Sequence, residues 1–303
     1  MIYTLTLNPS IDYVIELDQV ELGSLNRTVK ETKFPGGKGI NVSRVLKRLK
    51  TDSMALGFIG GFTGRFIEEY LETEQIASDF VRVNEDTRIN VKIKTENETE
   101  INAKGPKITD LEYETLKKKI MNLSQCDLLV LAGSIPSTLP ATTYEELVKI
   151  CSENSAKFVV DAEGELLKKV LPYRPFLIKP NHHELGELFH TTIAECEEVV
   201  PYARKLIEMG AQNVIVSLAD KGAVFINTET LLVAEVPRGT VKSSVGAGDS
   251  TVAGFLAKYQ ETKSFEDAFK YGVSSGSATA FSIGLCTREK IEEILPQVVI
   301  RKS

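Results

Sequence analysis

From residue 108 onward, short apolar runs alternate with amphipathic ones in a regular order, and this alternation narrows the possible folds more than any other feature. Amphipathic spacing predicts helices over 110–123, 143–152, 166–170 and 197–209. The apolar runs between them, 128–131, 158–161, 176–179 and 214–217, predict buried strands. Alternation of this kind produces a mainly parallel sheet with helices on both faces, an α/β fold. Ligands of such sheets bind beyond the carboxyl ends of the strands. Here those ends carry Ser134, Asp161, Lys179-Pro180-Asn181 and Ser217. Upstream, 2–7 and 53–58 read as strands, with helices behind Gly39 and over 63–74. Two stretches, about 11–34 and 87–103, have the two-residue period of half-exposed strands and do not fit the βα order. They predict a small sheet, inserted twice into a single domain spanning 1–303, lying over the site as a lid.

Composition supports one large domain rather than several. The chain has 303 residues, 42% of them hydrophobic, enough to bury one sizeable core. Its net charge of -6, without a basic cluster, argues against a nucleic-acid surface. Four scattered cysteines, with no Cys-x-x-Cys pair, suggest neither a zinc site nor a disulfide framework. Strand-like sequence begins at Met1 without a signal peptide, and no apolar run is long enough for a membrane span. The expectation is a soluble, cytoplasmic protein.

Ser244-Val245-Gly246-Ala247-Gly248-Asp249-Ser250-Thr251 stands where a helix begins. Glycine-rich backbone can turn successive N–H groups toward one point, and a helix start adds free donors and its positive dipole end. Such a place holds a phosphate. Dipole and donors are expected to keep Asp249 ionised, fit to take a proton from an attacking hydroxyl. A glycine turn with Asp as helix cap is the other reading. Gly36-Gly37-Lys38-Gly39-Ile40-Asn41-Val42 is neither a Walker loop nor a dinucleotide fingerprint. Lys38 and Asn41 share a helix face there, as sugar or sugar-phosphate contacts would. Asn181-His182-His183-Glu184 reads as a capping box at a strand end, where the acid could also hold a Mg²⁺-bound water. The adjacent histidines lack metal-ligand spacing and read as surface residues. Ser217–Gly222 is a polar turn suited to a nucleotide edge. Gly276-Ser277-Ala278-Thr279-Ala280 either permits close helix packing or leaves a slot for a flat ring. Cations placed near turns are Arg27, Lys38, Arg88 and Lys104.

The two glycine-rich stretches together resemble the paired signatures of the ribokinase-like (phosphofructokinase B) carbohydrate kinases. Asn181-x-x-Glu184 is similar to that family's magnesium-linked motif. Thr4–Asp12, Thr87-Arg88-Ile89-Asn90-Val91-Lys92 and Ala132-Gly133-Ser134-Ile135-Pro136 resemble its phosphosugar branch. The resemblance covers essentially the whole chain and implies a ribokinase-like fold. It implies Asp249 as catalytic base and the Gly246-Ala247-Gly248 amides as anion hole. Asp12, Gly37 and Asn41 would contact sugar hydroxyls, and Lys38 and Arg88 the substrate phosphate, with Lys104 and Ser134 also expected to bind the substrate. The ATP side would comprise Lys179, Ser217, Leu218, Ala219, Asp220, Lys221, Gly222, Gly248, Ala278 and Ser282. Glu184 would act through water on Mg²⁺. Ser243 departs from the usual Asp or Asn at its position, and Glu163 stands where relatives often have Ser. The implied activity is ATP-dependent phosphorylation of fructose 1-phosphate to fructose 1,6-bisphosphate, with tagatose 6-phosphate the neighbouring substrate. A non-catalytic regulator on the same scaffold has no need of Asp249. A nicotinamide oxidoreductase is excluded because Asn8-Pro9-Ser10, not a glycine fingerprint, follows the first strand. The apolar lid face predicts a homodimer.

Overall fold

The computed structural model describes residues 1–162 and 164–302; Glu163 lies outside the described residues. Among these, the main sheet runs from strand Val214–Ser217 through Leu177–Ile178, Lys157–Asp161, Leu128–Ala132 and Ile2–Thr6 to Ser53–Gly60, all parallel. Ala77–Ser78 and Val81–Val83 both pair in parallel with the far side of Ser53–Gly60. At the opposite edge Ala223–Ile226, Leu231–Glu235 and Val299–Lys302 add three antiparallel strands. Sequence reading missed this edge. Leu231–Glu235 is half-buried and Val299–Lys302 mostly exposed, so they lack the continuous apolar run by which parallel strands were found.

The alternation in each central strand explains the layers. Leu129, Leu131, Phe158, Val160 and Ile178 face a core completed by helices Asp110–Met121, Thr143–Glu153 and Cys196–Glu208. Val130, Ala132, Val159 and Leu177 face the other, under helices Lys38–Arg48, Ala247–Thr262 and Phe265–Ala280. With both faces covered, Leu128–Ala132 and Leu177–Ile178 are wholly apolar, and polar groups gather at and beyond the carboxyl ends, where they can face a ligand. Helix ends are locally encoded. Asp110–Met121 starts at a Thr109/Glu112 capping box and has Lys118 and Lys119 in its last turn.

A separate four-stranded sheet has the order Lys30–Gly36, Ser10–Glu16, Arg88–Lys94, Glu98–Asn102. Its register puts Asp12 beside Asn90 and Asn90 beside Asn102, and Lys92 beside Glu100. These five face the interior cavity described below. The intervening row, with Tyr13, Val91 and Ile101 in register, faces outward, and Ile101 is 58% exposed. The period-2 pattern therefore carries an inversion of the usual sense: the polar face is the inner one.

Among the described residues no helix is long and apolar enough to cross a membrane. All four cysteines are free thiols, Cys126 exposed and the others buried.

Candidate active site

The carboxyl ends of the parallel strands and the polar face of the second sheet enclose one large cavity of about 1700 Å³. It is reached from the strand Ile2–Thr6 by Thr6 and Asn8, and from the next helix by Gly37, Lys38 and Asn41. Gly39 lets that helix press against the strand: a Cβ there would lie 2.6 Å from Thr6 Oγ1 and 2.7 Å from the Leu5 carbonyl. The contact is completed by the Ile40 N–H, which donates to Thr6 Oγ1 at 3.0 Å. Gly36 makes room in turn for the Asp12 carboxylate.

Asp249 opens helix Ala247–Thr262 behind Gly246, whose φ of 78° is the left-handed conformation that favours glycine. Asn41 donates to Asp249 Oδ2 at 2.8 Å, and Asp249 lines the cavity. Dipole and donors are expected to keep Asp249 ionised, yet its carboxyl stands above the ordinary value. Burial and then the neighbouring Asp161 push its carboxyl up to about 6, against the opposing pull of Asn41, Lys38 and Lys179. Local donors do act on it, but desolvation outweighs them. A carboxylate of that kind is still mostly ionised at neutral pH and is a stronger base for being raised.

Four charges meet here. Asp161, 5% exposed at the end of its strand, directs Oδ2 to Lys38 Nζ at 3.3 Å and Oδ1 to Lys179 Nζ at 3.6 Å. Burial alone would raise the Asp161 carboxyl, but the Lys179 and Lys38 ammoniums hold it below the ordinary value. Burial alone would lower Lys38, yet Asp161 and then Asp249 hold it above its own. Lys179 lies over the start of the Asp249 helix, since a Cβ on Gly248 would come 2.9 Å from its Nζ. A buried lysine, Lys179, and a half-exposed one, Lys38, thus balance two buried aspartates.

At the second sheet, Asp12 accepts from Ser10 Oγ at 2.7 Å and Asn90 Nδ2 at 3.4 Å, with Lys92 Nζ at 3.8 Å. Arg88 donates from Nη1 to the Ala103 carbonyl and from Nη2 to the Asn8 carbonyl. Its guanidinium, pulled down by burial, lines the cavity. The Lys104 side chain is exposed and does not line the cavity; only its carbonyl takes part, accepting from Asn8 Nδ2 at 3.1 Å. Ser134 lines it.

On the opposite side Lys179, Ser217, Ala219, Asp220, Gly222 and Gly248 line the cavity as expected. Leu218, Lys221, Ala278 and Ser282 do not. Leu218 and Ala278 are buried in the two cores, and Lys221 pairs with Glu195 at 2.5 Å on the surface. Ser282 turns back to donate to the Ala278 carbonyl. In helix Phe265–Ala280 the cavity face is instead Val273, Gly276, Ser277 and Ala280, spaced three and four apart. The small-residue run serves both of its readings. Gly254 and Gly272 let the two long helices touch, while Gly276, Ser277 and Ala280 leave a shallow wall.

The Asn181/Glu184 capping box forms, with the Asn181 N–H donating to Glu184 Oε2 at 2.8 Å and the Glu184 N–H to Asn181 Oδ1 at 2.9 Å. Both residues also line the cavity, as do His182 and His183, which sequence reading assigned to open surface. Among the described residues no group of three or more His, Cys, Asp or Glu could hold a metal by itself. A single carboxylate does fit Mg²⁺, which keeps most of its waters and takes further ligands from phosphates.

Sequence reading missed Asp161, Lys92, Asn90 and Asn8 as site residues. Asp161 carried a signal, its place at a strand's carboxyl end. For Lys92 and Asn90, alternation alone could not tell a cavity from solvent. Among the described residues the buried side-chain atoms without a hydrogen-bond partner are Asn8 Oδ1, Arg88 Nε, Asn90 Oδ1 and His182 Nδ1, all on cavity-lining residues.

Fold and site together define the class: an α/β kinase of small molecules, with a buried carboxylate at a helix start that faces a lysine-lined cavity. The family model for pfkB family carbohydrate kinases matches residues 5–291, and the chain belongs to that family. The chain is 51% identical, over 100% of both sequences, to a 1-phosphofructokinase of Bacillus subtilis (strain 168). It is 38% identical, over 99% of both, to a D-tagatose-1-phosphate kinase of Bacillus licheniformis. Among solved structures, phosphofructokinase-2 from Escherichia coli in complex with fructose-6-phosphate has a TM-score of 0.91 and 28% identity, covering 98% of both chains.

Proposed function

We propose that the protein transfers the γ-phosphoryl group of ATP to the free primary hydroxyl of fructose 1-phosphate, giving fructose 1,6-bisphosphate and ADP. The observation that carries this reading is the buried Asp249–Asn41 pair at a helix start, facing a cavity with cations on either side. Asn41 orients the carboxylate, and Asp249 takes the hydroxyl proton as the new O–P bond forms and the bond to the ADP oxygen breaks. The Ala247 N–H is already given to the Ser244 carbonyl at 3.2 Å. Of the expected anion hole it is therefore the Gly246 and Gly248 amides that, with the Lys38 and Lys179 ammoniums, meet charge on the phosphoryl group in transit. Asp12 holds the sugar hydroxyls. Arg88, beside the second sheet, grips the phosphate already on the sugar, and Lys38, drawn toward Asp161, works nearer the transfer point. Glu184 and Asn181 would hold Mg²⁺ through water, and the ion would neutralise phosphate charge.

Support for a 1-phosphate as acceptor comes from the two curated relatives, each named for a ketohexose 1-phosphate. The measurement is kcat/KM with ATP for fructose 1-phosphate, tagatose 6-phosphate and unphosphorylated fructose. Fructose 1-phosphate is expected to be best and fructose very poor, with Arg88→Ala selectively weakening the phosphorylated acceptors. Equal rates on fructose and fructose 1-phosphate would refute the phosphate grip. A preference for tagatose 6-phosphate would reassign the substrate and leave the mechanism standing.

The same reading treats the chain as one domain whose second sheet is a lid, paired outer face to outer face with that of a second copy. Its Tyr13–Val91–Ile101 row is an apolar surface that a small sheet does not bury by itself.

A further inference from the structure

We infer that Asp161 is a positioning residue of this site: a buried carboxylate that fixes the ammoniums of Lys38 and Lys179 beside Asp249, so that both meet the phosphoryl group in transfer. The inference rests on the kinase reading above and adds a residue to which that reading gives no role.

The geometry is specific. Each carboxylate oxygen serves one lysine, Oδ2 at 3.3 Å from Lys38 and Oδ1 at 3.6 Å from Lys179. Lys38 comes from a helix start and Lys179 follows the short strand Leu177–Ile178, so the carboxylate ties together two elements that sequence separates by 141 positions. Asp161 itself ends a rigid central strand, hydrogen-bonded in register between Leu128–Ala132 and Leu177–Ile178. Side chains on such a strand hold position better than those on loops.

A charge cluster in which Asp161, Asp249 and Lys179 are buried and only Lys38 reaches solvent is a weak stability device. Desolvating the ions costs several kcal/mol each, and apolar replacements of similar size often do as well. The cluster is instead placed where phosphoryl transfer needs cations already oriented, at no reorganisation cost during reaction. Asp161 also acts on the base. The groups facing Asp249 are Asp161 from the strand end, Lys38 and Asn41 from their helix, and Lys179 over the helix start. Asp161 is the anion among them, and it pushes Asp249 toward protonation while the lysines pull the other way.

The test compares wild type with Asp161→Asn, which keeps shape and removes the charge. With fructose 1-phosphate and ATP, kcat should fall about tenfold or more as the ammoniums lose their anchor. The acid limb of kcat/KM should move to lower pH by roughly half a unit or more, because Asp249 loses a like charge. A merely structural Asp161 would lower activity and thermal stability without that directed shift. A folded variant whose acid limb stays put, or whose kcat stays within threefold, overturns the inference. If Asp161→Asn does not fold, ¹³C titration of the aspartate carboxyls in the unaltered protein decides. Asp161 should stay ionised well below the ordinary carboxylate range while Asp249 titrates near 6. Ordinary titration of Asp161 overturns the inference. Failure of wild type to phosphorylate any ketohexose phosphate would instead sink the kinase reading, and is distinguishable for that reason.

Discussion

At the residue scale, Asp249 is the position where chemistry and stability pull apart. Replacing it by Asn should leave ATP and sugar-phosphate binding nearly intact and reduce kcat by about 10²–10⁴-fold. Its carboxyl stands at about 6 in the folded protein against an ordinary 3.8. Below about 6 the base is protonated, so kcat/KM should fall about tenfold per pH unit on that side, and the limb should be traceable in a pH–rate profile. The linkage has the opposite sense for stability. The folded state binds this proton more tightly than the unfolded chain, so the group's stabilising contribution is complete below about pH 4 and is lost as pH rises through about 6. Asp249→Asn should therefore be at least as stable as wild type at pH 7, by up to on the order of 2–3 kcal/mol. Denaturant unfolding at pH 7 and pH 4 would check it, and a variant less stable at pH 7 would contradict the argument. Buried bases that cost stability are a common trade at active sites.

At the scale of elements, the seam between helices Ala247–Thr262 and Phe265–Ala280 decides one wall of the cavity. A Cβ on Gly272 would lie 2.8 Å from the Thr251 carbonyl, and one on Gly254 2.2 Å from Ser275 Oγ. Gly272→Val should force the helices apart at a cost of about 1–3 kcal/mol, read as a lower melting temperature. Because Gly276, Ser277 and Ala280 move with the seam, KM for ATP should rise well above its wild-type value while KM for the sugar phosphate changes little. A parallel rise in both would mean that this wall is not the nucleotide side. The capping box at Asn181 shows how one element can serve twice. It closes the start of helix His182–Phe189 and presents both of its side chains to the cavity. The cap was legible from the Asn-x-x-Glu spacing, because capping is local chemistry.

At the scale of the whole molecule, the second sheet has its polar row turned inward and its apolar row outward. An isolated sheet in water would do the reverse, so the outer row calls for a partner. Light scattering at micromolar concentration should report twice the chain's 33.4 kDa. Lysines in place of Val91 and Ile101 should return it to a single chain. A wild-type species of one chain's mass would eliminate the proposed pairing.

The sequence by itself determined what depends on neighbours along the chain. Strand and helix periods identified the parallel core strands and their polar carboxyl ends. Glycine punctuation located the starts of helices Lys38–Arg48 and Ala247–Thr262, and with them Lys38, Asn41 and Asp249. Only the tertiary structure decided which side of an amphipathic element meets the cavity and which groups meet across it. Ala278 and Ser277 are adjacent in sequence, yet one is core and the other wall, because a helix turns by about 100° per residue. Alternation puts Lys92 on the polar face of its strand, and only the folded second sheet turns that face to the cavity. Asp249 reads as a helix-start carboxylate kept ionised by dipole and donors, and only burial and Asp161, 88 positions upstream, raise it to about 6. Desolvation and charge coupling depend on distance through space, and sequence separation carries no information about either.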